Sequence, residues 1–258
     1  MKAILTDVTR CIGCELCVAK CKEINKLGVD RPWPWVSWDR LSAVRWTTVI
    51  TRPGSHYVRK HCQHCLDPAC VAACPVAALR RTPEGAVVYD LSVCLGCRYC
   101  MNACPFGIPR YNWESAQPAI QKCNLCHPRI LEGKKPGCVE VCPTEATIFG
   151  DREELLAEAR RRLRAEPDRY IPRIWGEHEI GGTSVLYLAD IDLGFLGWKA
   201  DLGNHPLPRL TWNILTKMPA IFLGIGALMA GIYWLGERKN KIQAETRKNS
   251  DFQEGSKP

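Results

Sequence analysis

The residues of this chain that could do chemistry are its 16 cysteines, which fall into four groups of four. Cys94–Pro105 reads C-x2-C-x2-C-x3-C-P. This spacing is typical of [4Fe–4S] binding, in which three closely spaced thiolates bind one cluster and the fourth binds its neighbour. Because no cysteine is left over, the sequence predicts four [4Fe–4S] clusters. The other quartets are Cys11, Cys14, Cys17 and Cys21, with the same spacing, Cys62, Cys65, Cys70 and Cys74, and Cys123, Cys126, Cys138 and Cys142.

Two other uses of cysteine compete with iron–sulfur binding. Disulfides need residues whose Cβ atoms meet, and tight C-x2-C runs rarely satisfy that geometry. Structural zinc uses separated C-x2-C pairs rather than three cysteines at two-residue intervals. The formal net charge of +8 also fits clusters, because each cluster with its four thiolates contributes about −2. The basic excess therefore offsets the cofactors, and we expect no nucleic-acid partner.

The rule that the fourth cysteine crosses to a neighbouring cluster predicts the ligand sets. The two middle quartets are close in sequence and are expected to pair, so the outer two must pair across the fold. The predicted sets are Cys11, Cys14, Cys17 and Cys142; Cys62, Cys65, Cys70 and Cys104; Cys94, Cys97, Cys100 and Cys74; and Cys123, Cys126, Cys138 and Cys21. Three histidines beside the cysteines are expected either to donate hydrogen bonds to cluster sulfurs or to have a structural role, namely His61, His64 and His127.

An internal repeat indicates the elements that must position these cysteines. Thr6–Cys21 parallels Tyr89–Cys104, and Pro68–Leu79 parallels Pro136–Ile148. The repeat predicts an α+β domain over 1–150 made of two intertwined bacterial-ferredoxin-like units, each with two clusters. Secondary structure should be sparse, because iron–ligand bonds fix much of the backbone. The outer unit is predicted over 1–30 and 115–150, the inner unit over 55–114, and short strands at Ala3–Thr6, Val87–Tyr89 and Thr147–Phe149.

A tryptophan-rich insertion is predicted over 31–54, between the first two quartets. Its tryptophans are Trp33, Trp35, Trp38 and Trp46. They are expected either to shield the first clusters from water or to form a docking surface, since tryptophan is enriched at interfaces.

The segment over 151–210 is predicted to be a helix, a strand and a connection. Asp151–Arg164 has an apolar stripe at helical spacing, and Asp151 with Glu154 fits a capping box. Gly181–Leu188 is predicted to be a strand entered through a glycine turn.

One stretch near the C-terminus is apolar enough to cross a membrane. Met218–Leu235 contains no charged residue, and Trp212 and Trp234 flank it. Tryptophans at these positions suit the two interfaces of a bilayer about 30 Å thick. The sequence therefore predicts a transmembrane helix over 211–236 and a basic, disordered tail over 237–258.

The charges that flank this span predict its orientation. Cytoplasmic flanks carry the excess of lysine and arginine. After the span come Arg238, Lys239, Lys241, Arg247 and Lys248, and before it Lys199, Arg209 and Lys217. The C-terminus is therefore expected in the cytoplasm and the cluster domain on the periplasmic side of the inner membrane. Too few residues precede Cys11 for a secretory signal, so the domain is expected to cross bound to a partner with an export signal.

Several segments resemble one family of proteins. CQHCLDPACVAACPVAAL, CLGCRYCMNACPFGIPRY, PGCVEVCPTEATIFGDREELLAEA and GEHEIGGTSVLYL are similar to four-cluster iron–sulfur subunits of membrane-bound respiratory oxidoreductases. The similarity is greatest to the hydrogenase-2 type and the formate-dehydrogenase type of subunit. One departure is that Lys22 follows Cys21, where the other three quartets have proline.

The resemblance implies an electron-transfer subunit with no catalytic site of its own. It would relay electrons through four clusters between a catalytic subunit, of the nickel–iron hydrogenase or molybdenum or tungsten formate dehydrogenase kind, and a quinone-reactive or cytochrome b membrane subunit. The alternative is a membrane-tethered polyferredoxin that acts as a mobile carrier. No P-loop, GxGxxG motif or nucleophile–base pairing stands out in the sequence.

Overall fold

The computed structural model of the chain describes residues 1–30, 38–113, 119–198 and 202–254, and the side chains as far as 244. The strands are β1 (Lys2–Asp7), β2 (Thr48–Arg52), β3 (His56–Lys60), β4 (Leu79–Arg81), β5 (Val87–Tyr89), β6 (Arg110–Tyr111), β7 (Ile120–Gln121), β8 (Thr147–Asp151) and β9 (Val185–Leu188). The helices are α1 (Leu16–Asn25), α2 (Ala69–Ala72), α3 (Tyr99–Ala103), α4 (His127–Leu131), α5 (Gly137–Glu140), α6 (Arg152–Ala165), α7 (Leu207–Leu215) and α8 (Met218–Glu254).

A three-stranded sheet in the order β8–β1–β9 joins distant parts of the chain. Strand β1 pairs antiparallel with β8 and parallel with β9. The strands predicted at Ala3–Thr6 and Thr147–Phe149 are confirmed, and both extend further. Because β1 precedes the first quartet and β8 follows the last, their pairing brings the two ends of the cysteine-rich region together.

The segment that ends in β9 also contacts the middle of the chain. The Ser184 amide donates to the His64 carbonyl at 3.0 Å, and the Leu66 amide donates to the Gly182 carbonyl at 3.0 Å. The predicted glycine turn is present, since Gly181 and Gly182 have φ of +84° and +94°. The residues between this turn and β9 therefore lie beside the backbone around Cys65, whereas β9 itself lies between β1 and the backbone of Trp175.

Helix α6 covers one face of the three-stranded sheet. Its apolar stripe, Leu155, Leu156 and Ala159, packs with Leu5 and Leu186 in one buried cluster. This confirms the predicted amphipathic helix. The predicted capping box does not form, because the Asp151 side chain makes no cap hydrogen bond. Asp151 instead pairs with Lys2 Nζ at 2.9 Å across the β1–β8 register.

Aromatic residues form the core beside the cysteines. Trp175, Tyr187 and Trp198 are at most 2% exposed and belong to one cluster with Phe106. The rings of Phe106 and Trp198 are 4.8 Å apart. The segment after α6 therefore supplies the largest aromatic residues of a core that it shares with the cysteine-rich region.

Strands β2 and β3 form an antiparallel hairpin that the sequence reasoning did not predict. Its turn contains Gly54 and Ser55 at φ of +82° and +61°. Side chains on β3 alternate between two environments: Val58 belongs to the aromatic core, whereas Arg59 lines cavities surrounded by cysteines. The hairpin therefore directs a basic residue towards the cysteines.

Residues Arg209–Pro258 form a second compact unit, distinct from Met1–Pro208. The stretch Leu207–Ala244 is long and apolar enough to cross a membrane, with mean hydropathy 1.8 and none of its apolar window buried. The helix breaks between α7 and α8, because Pro219 has no N–H to donate to the Leu215 carbonyl.

The tail predicted to be disordered differs from the structure, where α8 continues to Glu254. The physical reason is composition: between Gly236 and Gly255 the sequence has neither glycine nor proline and is rich in strong helix formers. Lys241 and Glu237 form an i,i+4 ion pair at 3.3 Å. Lys199 lies outside the described residues, as do the side chains of Arg247 and Lys248.

Candidate metal centres

The cysteines surround four sites. Each predicted site takes three ligands from one quartet, and we name the site after the first cysteine of that quartet. The Cys11 site is a cavity lined by Cys11, Cys14, Cys17 and Cys142, and Cys138 lines it as well. The Cys123 site is a cavity lined by Cys123, Cys126, Cys138 and Cys21. The Cys94 site is lined by Cys94, Cys97, Cys100 and Cys74. The Cys62 site gathers Cys62, Cys65, Cys70 and Cys104, whose thiols act on one another electrostatically. The structure thus brings together the four cysteines of each predicted set.

Repeated backbone turns shape the two sites built from C-x2-C-x2-C runs. Gly13 and Gly96 have φ of +72° and +69°, and Glu15 and Arg98 have φ of +55° and +63°. A left-handed conformation is uncommon for a residue with a side chain. Its recurrence at equivalent positions winds the chain around each cavity, so that three thiols face inward. A Cβ on Gly13 would also lie only 2.4 Å from the Tyr57 ring.

Backbone N–H groups point at several cysteine sulfurs. The Gly96 amide donates to Cys94 Sγ, and the Leu125 amide donates to Cys123 Sγ, both at 3.4 Å. Around Cys74, burial acts to raise the pKa of the thiol, but backbone N–H groups from Val76 to Leu79 bring the pKa below its usual value. Such N–H groups stabilise negative charge on sulfur.

Most of the other cysteines have raised pKa values, and burial is the main cause. Burial and then neighbouring cysteine charges raise the pKa of Cys21 to about 12, with Cys138 first among those neighbours. Burial likewise raises the pKa of Cys65 and Cys123 well above the usual range. Four thiolates in such a site repel one another unless cations lie between them. A metal supplies that charge and deprotonates coordinating thiols outright.

Two buried cations accompany the sites, and the sequence reasoning identified neither. Arg59 is 3% exposed and lines both the Cys11 and Cys123 cavities. Lys122 is 5% exposed, and its ammonium donates to the carbonyls of Val87 and Cys123. Neither forms an ion pair with a carboxylate among the described residues. In the sequence, each cation lies one to three residues before a quartet, but Arg10 and Lys60 do too, so this position alone does not single them out.

The donor set fits an iron–sulfur cluster at each site, and the buried charge of Arg59 fits one at the Cys11 and Cys123 sites. Only thiols are predicted as ligands, and thiolates are the usual ligands of [4Fe–4S] clusters. The Nε atom of Arg59 is buried without a hydrogen-bond partner in the part of the chain that the structure describes. A buried guanidinium of this kind requires negative charge nearby, and an anionic cluster provides it.

The three histidines beside cysteines have different surroundings. His127 Nε2 lies 3.0 Å from Glu84, which indicates a structural contact. His61 Nε2 accepts a hydrogen bond from Arg59 at 2.8 Å, and burial lowers the pKa of His61 well below its usual value. His64 Nδ1 accepts the Val87 N–H at 2.8 Å, so its proton lies on Nε2, which has no partner among the described residues.

The tryptophan insertion is only partly described. Trp33 and Trp35 lie outside the described residues. Trp38 is 67% exposed, and Lys60 Nζ lies 4.8 Å from the centroid of its ring. Trp46 donates from Nε1 to the Ala43 carbonyl at 3.0 Å. The choice between shielding and docking therefore stays open for this insertion.

Comparison with known proteins gives the same family as the cysteine pattern. Residues 54–152 match the model of a 4Fe-4S dicluster domain. A protein of Nitratidesulfovibrio vulgaris is 43% identical over 257 residues, which cover 94% of this chain and 68% of that protein. The hydrogenase-2 operon protein HybA of Escherichia coli O157:H7 is 40% identical over 228 residues, which cover 73% of this chain and 70% of HybA.

A third relative extends the comparison to formate dehydrogenase. The iron–sulfur subunit of the nitrate-inducible formate dehydrogenase of Escherichia coli K12 is 36% identical over 199 residues, covering 72% of this chain and 67% of that subunit. The relatives match well beyond the cysteine quartets themselves. The chain therefore belongs to the family of iron–sulfur electron-transfer subunits with a 4Fe-4S dicluster domain, whose members include subunits of hydrogenase and formate dehydrogenase complexes.

Proposed function

We propose that this chain relays electrons through four [4Fe–4S] clusters between a catalytic subunit and a quinone-reactive membrane subunit. The observation that carries the proposal is that the four cysteine sites follow one another through the fold. Cys138 lines both the Cys11 and the Cys123 cavities. Cys123 packs against the buried cluster that contains Cys62, which supports the Cys62 site as the next neighbour. When bound, such clusters supply one-electron carriers.

The last step of this sequence of sites joins the Cys62 and Cys94 sites. Cys70 and Cys100 belong to one buried cluster where α2 packs against α3. The order Cys11, Cys123, Cys62 and Cys94 therefore leaves the Cys11 and Cys94 sites as the two ends. Each end site has one exposed cysteine, Cys14 or Cys97. Electrons would enter at one of these ends and leave at the other.

The ligand sets we propose are those in which the fourth cysteine crosses to the paired cluster. Pairing of β1 with β8 and packing of α1 against α5 support an outer unit made from both ends of the region 1–150. Packing of α2 against α3 supports an inner unit over 55–114. These contacts support two intertwined units, in each of which we propose two crossing cysteines.

Pairs of substitutions test the crossing by counting iron. If Cys142 serves the Cys11 site, Cys11→Ala combined with Cys142→Ala damages one cluster, and about four of about 16 irons are lost. Cys11→Ala combined with Cys21→Ala then damages two clusters, and about eight irons are lost. The opposite pattern, with the larger loss in the Cys142 pair, would show that each quartet binds its own cluster.

The partner subunits follow from the family and from the apolar helix. We propose a catalytic subunit of the nickel–iron hydrogenase or molybdenum or tungsten formate dehydrogenase kind, and anchoring in the inner membrane through Leu207–Ala244. The rival function is a tethered polyferredoxin that carries electrons as a mobile protein. Mild detergent extraction distinguishes them, because a relay subunit purifies in fixed ratio with its partners, whereas a mobile carrier purifies alone.

The orientation we propose has the cluster domain on the periplasmic side and the C-terminus in the cytoplasm. Arg238, Lys239 and Lys241 follow the apolar stretch, and Arg209 and Lys217 precede its most apolar part. The surplus of cations after the span supports a cytoplasmic C-terminus.

A further inference from the structure

Arg59 is not a predicted ligand, but its side chain lies beside two of the predicted cluster sites. Its side chain is in the wall shared by the Cys11 and Cys123 cavities, and the Cys138 and Cys17 thiols are the first two charges that act on it. Cys17 is a predicted ligand at the Cys11 site, and Cys138 is one at the Cys123 site. The guanidinium therefore faces one predicted ligand of each site.

The surroundings hold this guanidinium in place but do not neutralise it. One Nη atom donates to His61 Nε2 at 2.8 Å, and the Nε atom has no hydrogen-bond partner within the described ranges. A histidine ring carries no negative charge, so His61 accepts the hydrogen bond without acting as a counter-ion. The adjacent residue Lys60, in contrast, is paired with Asp39 at 2.9 Å. A buried charge without a counter-ion is strongly destabilising.

We propose that Arg59 is an electrostatic partner shared by the clusters of the Cys11 and Cys123 sites and raises the reduction potential of both. Reduction adds one negative charge to a cluster, and a fixed cation beside the cluster favours the reduced form. Because one guanidinium lies beside two sites, its removal lowers both potentials together. The Cys62 and Cys94 sites do not share this side chain and keep their potentials. This inference rests on the proposed binding of four clusters.

The experiment is an EPR-monitored redox titration of the full chain in its membrane complex. Arg59→Met removes the charge and keeps an apolar side chain of similar length. We expect two of the four midpoint potentials to fall, so that the reduced-to-oxidised ratio of each drops at least about tenfold at fixed potential, equivalent to about 59 mV for one electron. Arg59→Lys keeps a cation on the same strand and is expected to restore most of the shift.

A second buried arginine provides the matched control. Arg152 is 7% exposed and donates to the carbonyls of Thr183, Gly176 and Glu177, and it lines neither cavity. Arg152→Met is expected to lower stability and leave all four potentials unchanged. If Arg59→Met loses iron, Arg59→Lys decides: full iron with all four potentials retained supports a charge effect, whereas equal iron loss in both variants overturns it.

Failure of the four-cluster proposal and failure of the Arg59 proposal give different results. Fewer than four clusters in the unmodified chain would overturn the proposed function before Arg59 is tested. Four clusters with unmoved potentials in Arg59→Met, or an equal shift of all four, would overturn the role of Arg59 alone.

Discussion

The strongest stability effect that we expect near a cysteine quartet comes from Asp7, a fully buried carboxylate. Its Oδ1 accepts the Thr9 N–H at 3.1 Å and the Thr9 hydroxyl at 2.7 Å. Its Oδ2 accepts from Arg162 at 3.0 Å and from the Tyr170 hydroxyl at 2.9 Å. Asp7→Ala removes all four hydrogen bonds. It leaves Arg162 with one remaining carboxylate, Glu158, at 2.7 Å.

The magnitude follows from these contacts. Loss of a capping side chain costs about 1 kcal/mol, and each hydrogen bond to a charged group contributes about 1.5–3 kcal/mol. Because Arg162 keeps Glu158, the loss of stability should be smaller than the sum of these contributions. We expect about 3–5 kcal/mol, the range for breaking a buried ion pair. With a urea slope of about 3 kcal/mol/M, the unfolding midpoint falls by about 1–2 M. Anaerobic urea titration followed by the visible absorbance of the clusters measures it.

The internal repeat supplies the control for Asp7. Asp90 occupies the equivalent position four residues before Cys94 and accepts the Ser92 N–H at 2.9 Å and the Ser92 hydroxyl at 2.6 Å. It has the same local cap, but among the described residues no arginine forms an ion pair with it, and Arg80 acts on it only as a nearby charge. Asp90→Ala is therefore expected to shift the midpoint much less. Equal shifts in the two variants would refute the reasoning, because the buried ion pair would then contribute nothing.

Three further predictions concern the clusters and the membrane. Anaerobically purified protein is expected to contain about 16 iron and about 16 acid-labile sulfide per chain, and zinc in their place would contradict this. The Tyr89 hydroxyl accepts the Ile120 N–H at 3.2 Å, and burial and then a hydrogen bond with Cys94 raise its pKa. Tyr89→Phe should therefore lower the potential of one cluster, since hydrogen bonds to sulfur raise it; redox titration that finds no shift would be contrary evidence. Protease added to intact spheroplasts should digest the cluster domain, and survival of that domain beside a digested periplasmic control would reverse the orientation.

Local patterns in the sequence predicted the elements whose signals are short-range. The apolar runs at β1 and β8, the helix α6 and the apolar stretch of α8 all appear in the structure. The parallel pairing of β1 with β9 was not predicted, because the residues that pair are about 180 positions apart and each run only indicates a strand. The hairpin of β2 and β3 could have been found, since Pro53 and Gly54 mark a turn between two β-branched or aromatic runs.

At the candidate site, too, local sequence patterns were predictive, whereas contacts between residues far apart in the sequence were missed. The C-x2-C-x2-C spacing predicted which three thiols of a quartet lie together, and left-handed turns at Gly13 and Gly96 accompany that spacing. The assignment of the fourth cysteine to the paired site stays a prediction. The roles of Arg59 and Lys122 were missed, because a basic residue near a quartet has no distinctive pattern until burial is known. The capping box at Asp151 failed for a related reason, since Lys2 competes for the carboxylate from the far end of the chain.

The β2–β3 hairpin also constrains how this protein can change length in evolution. Side chains on a strand alternate between its two faces, so a shift of one residue exchanges the faces. A one-residue insertion or deletion in the turn around Gly54 would present Lys60, the partner of Asp39, to the cavities and turn Arg59 away. The guanidinium of Arg59 would then no longer lie beside the Cys11 and Cys123 sites, and Val58 would leave the aromatic core. A shift of two residues would keep the faces but put Tyr57 or His61 in the place of Arg59. Functional homologues should therefore keep the length of this turn.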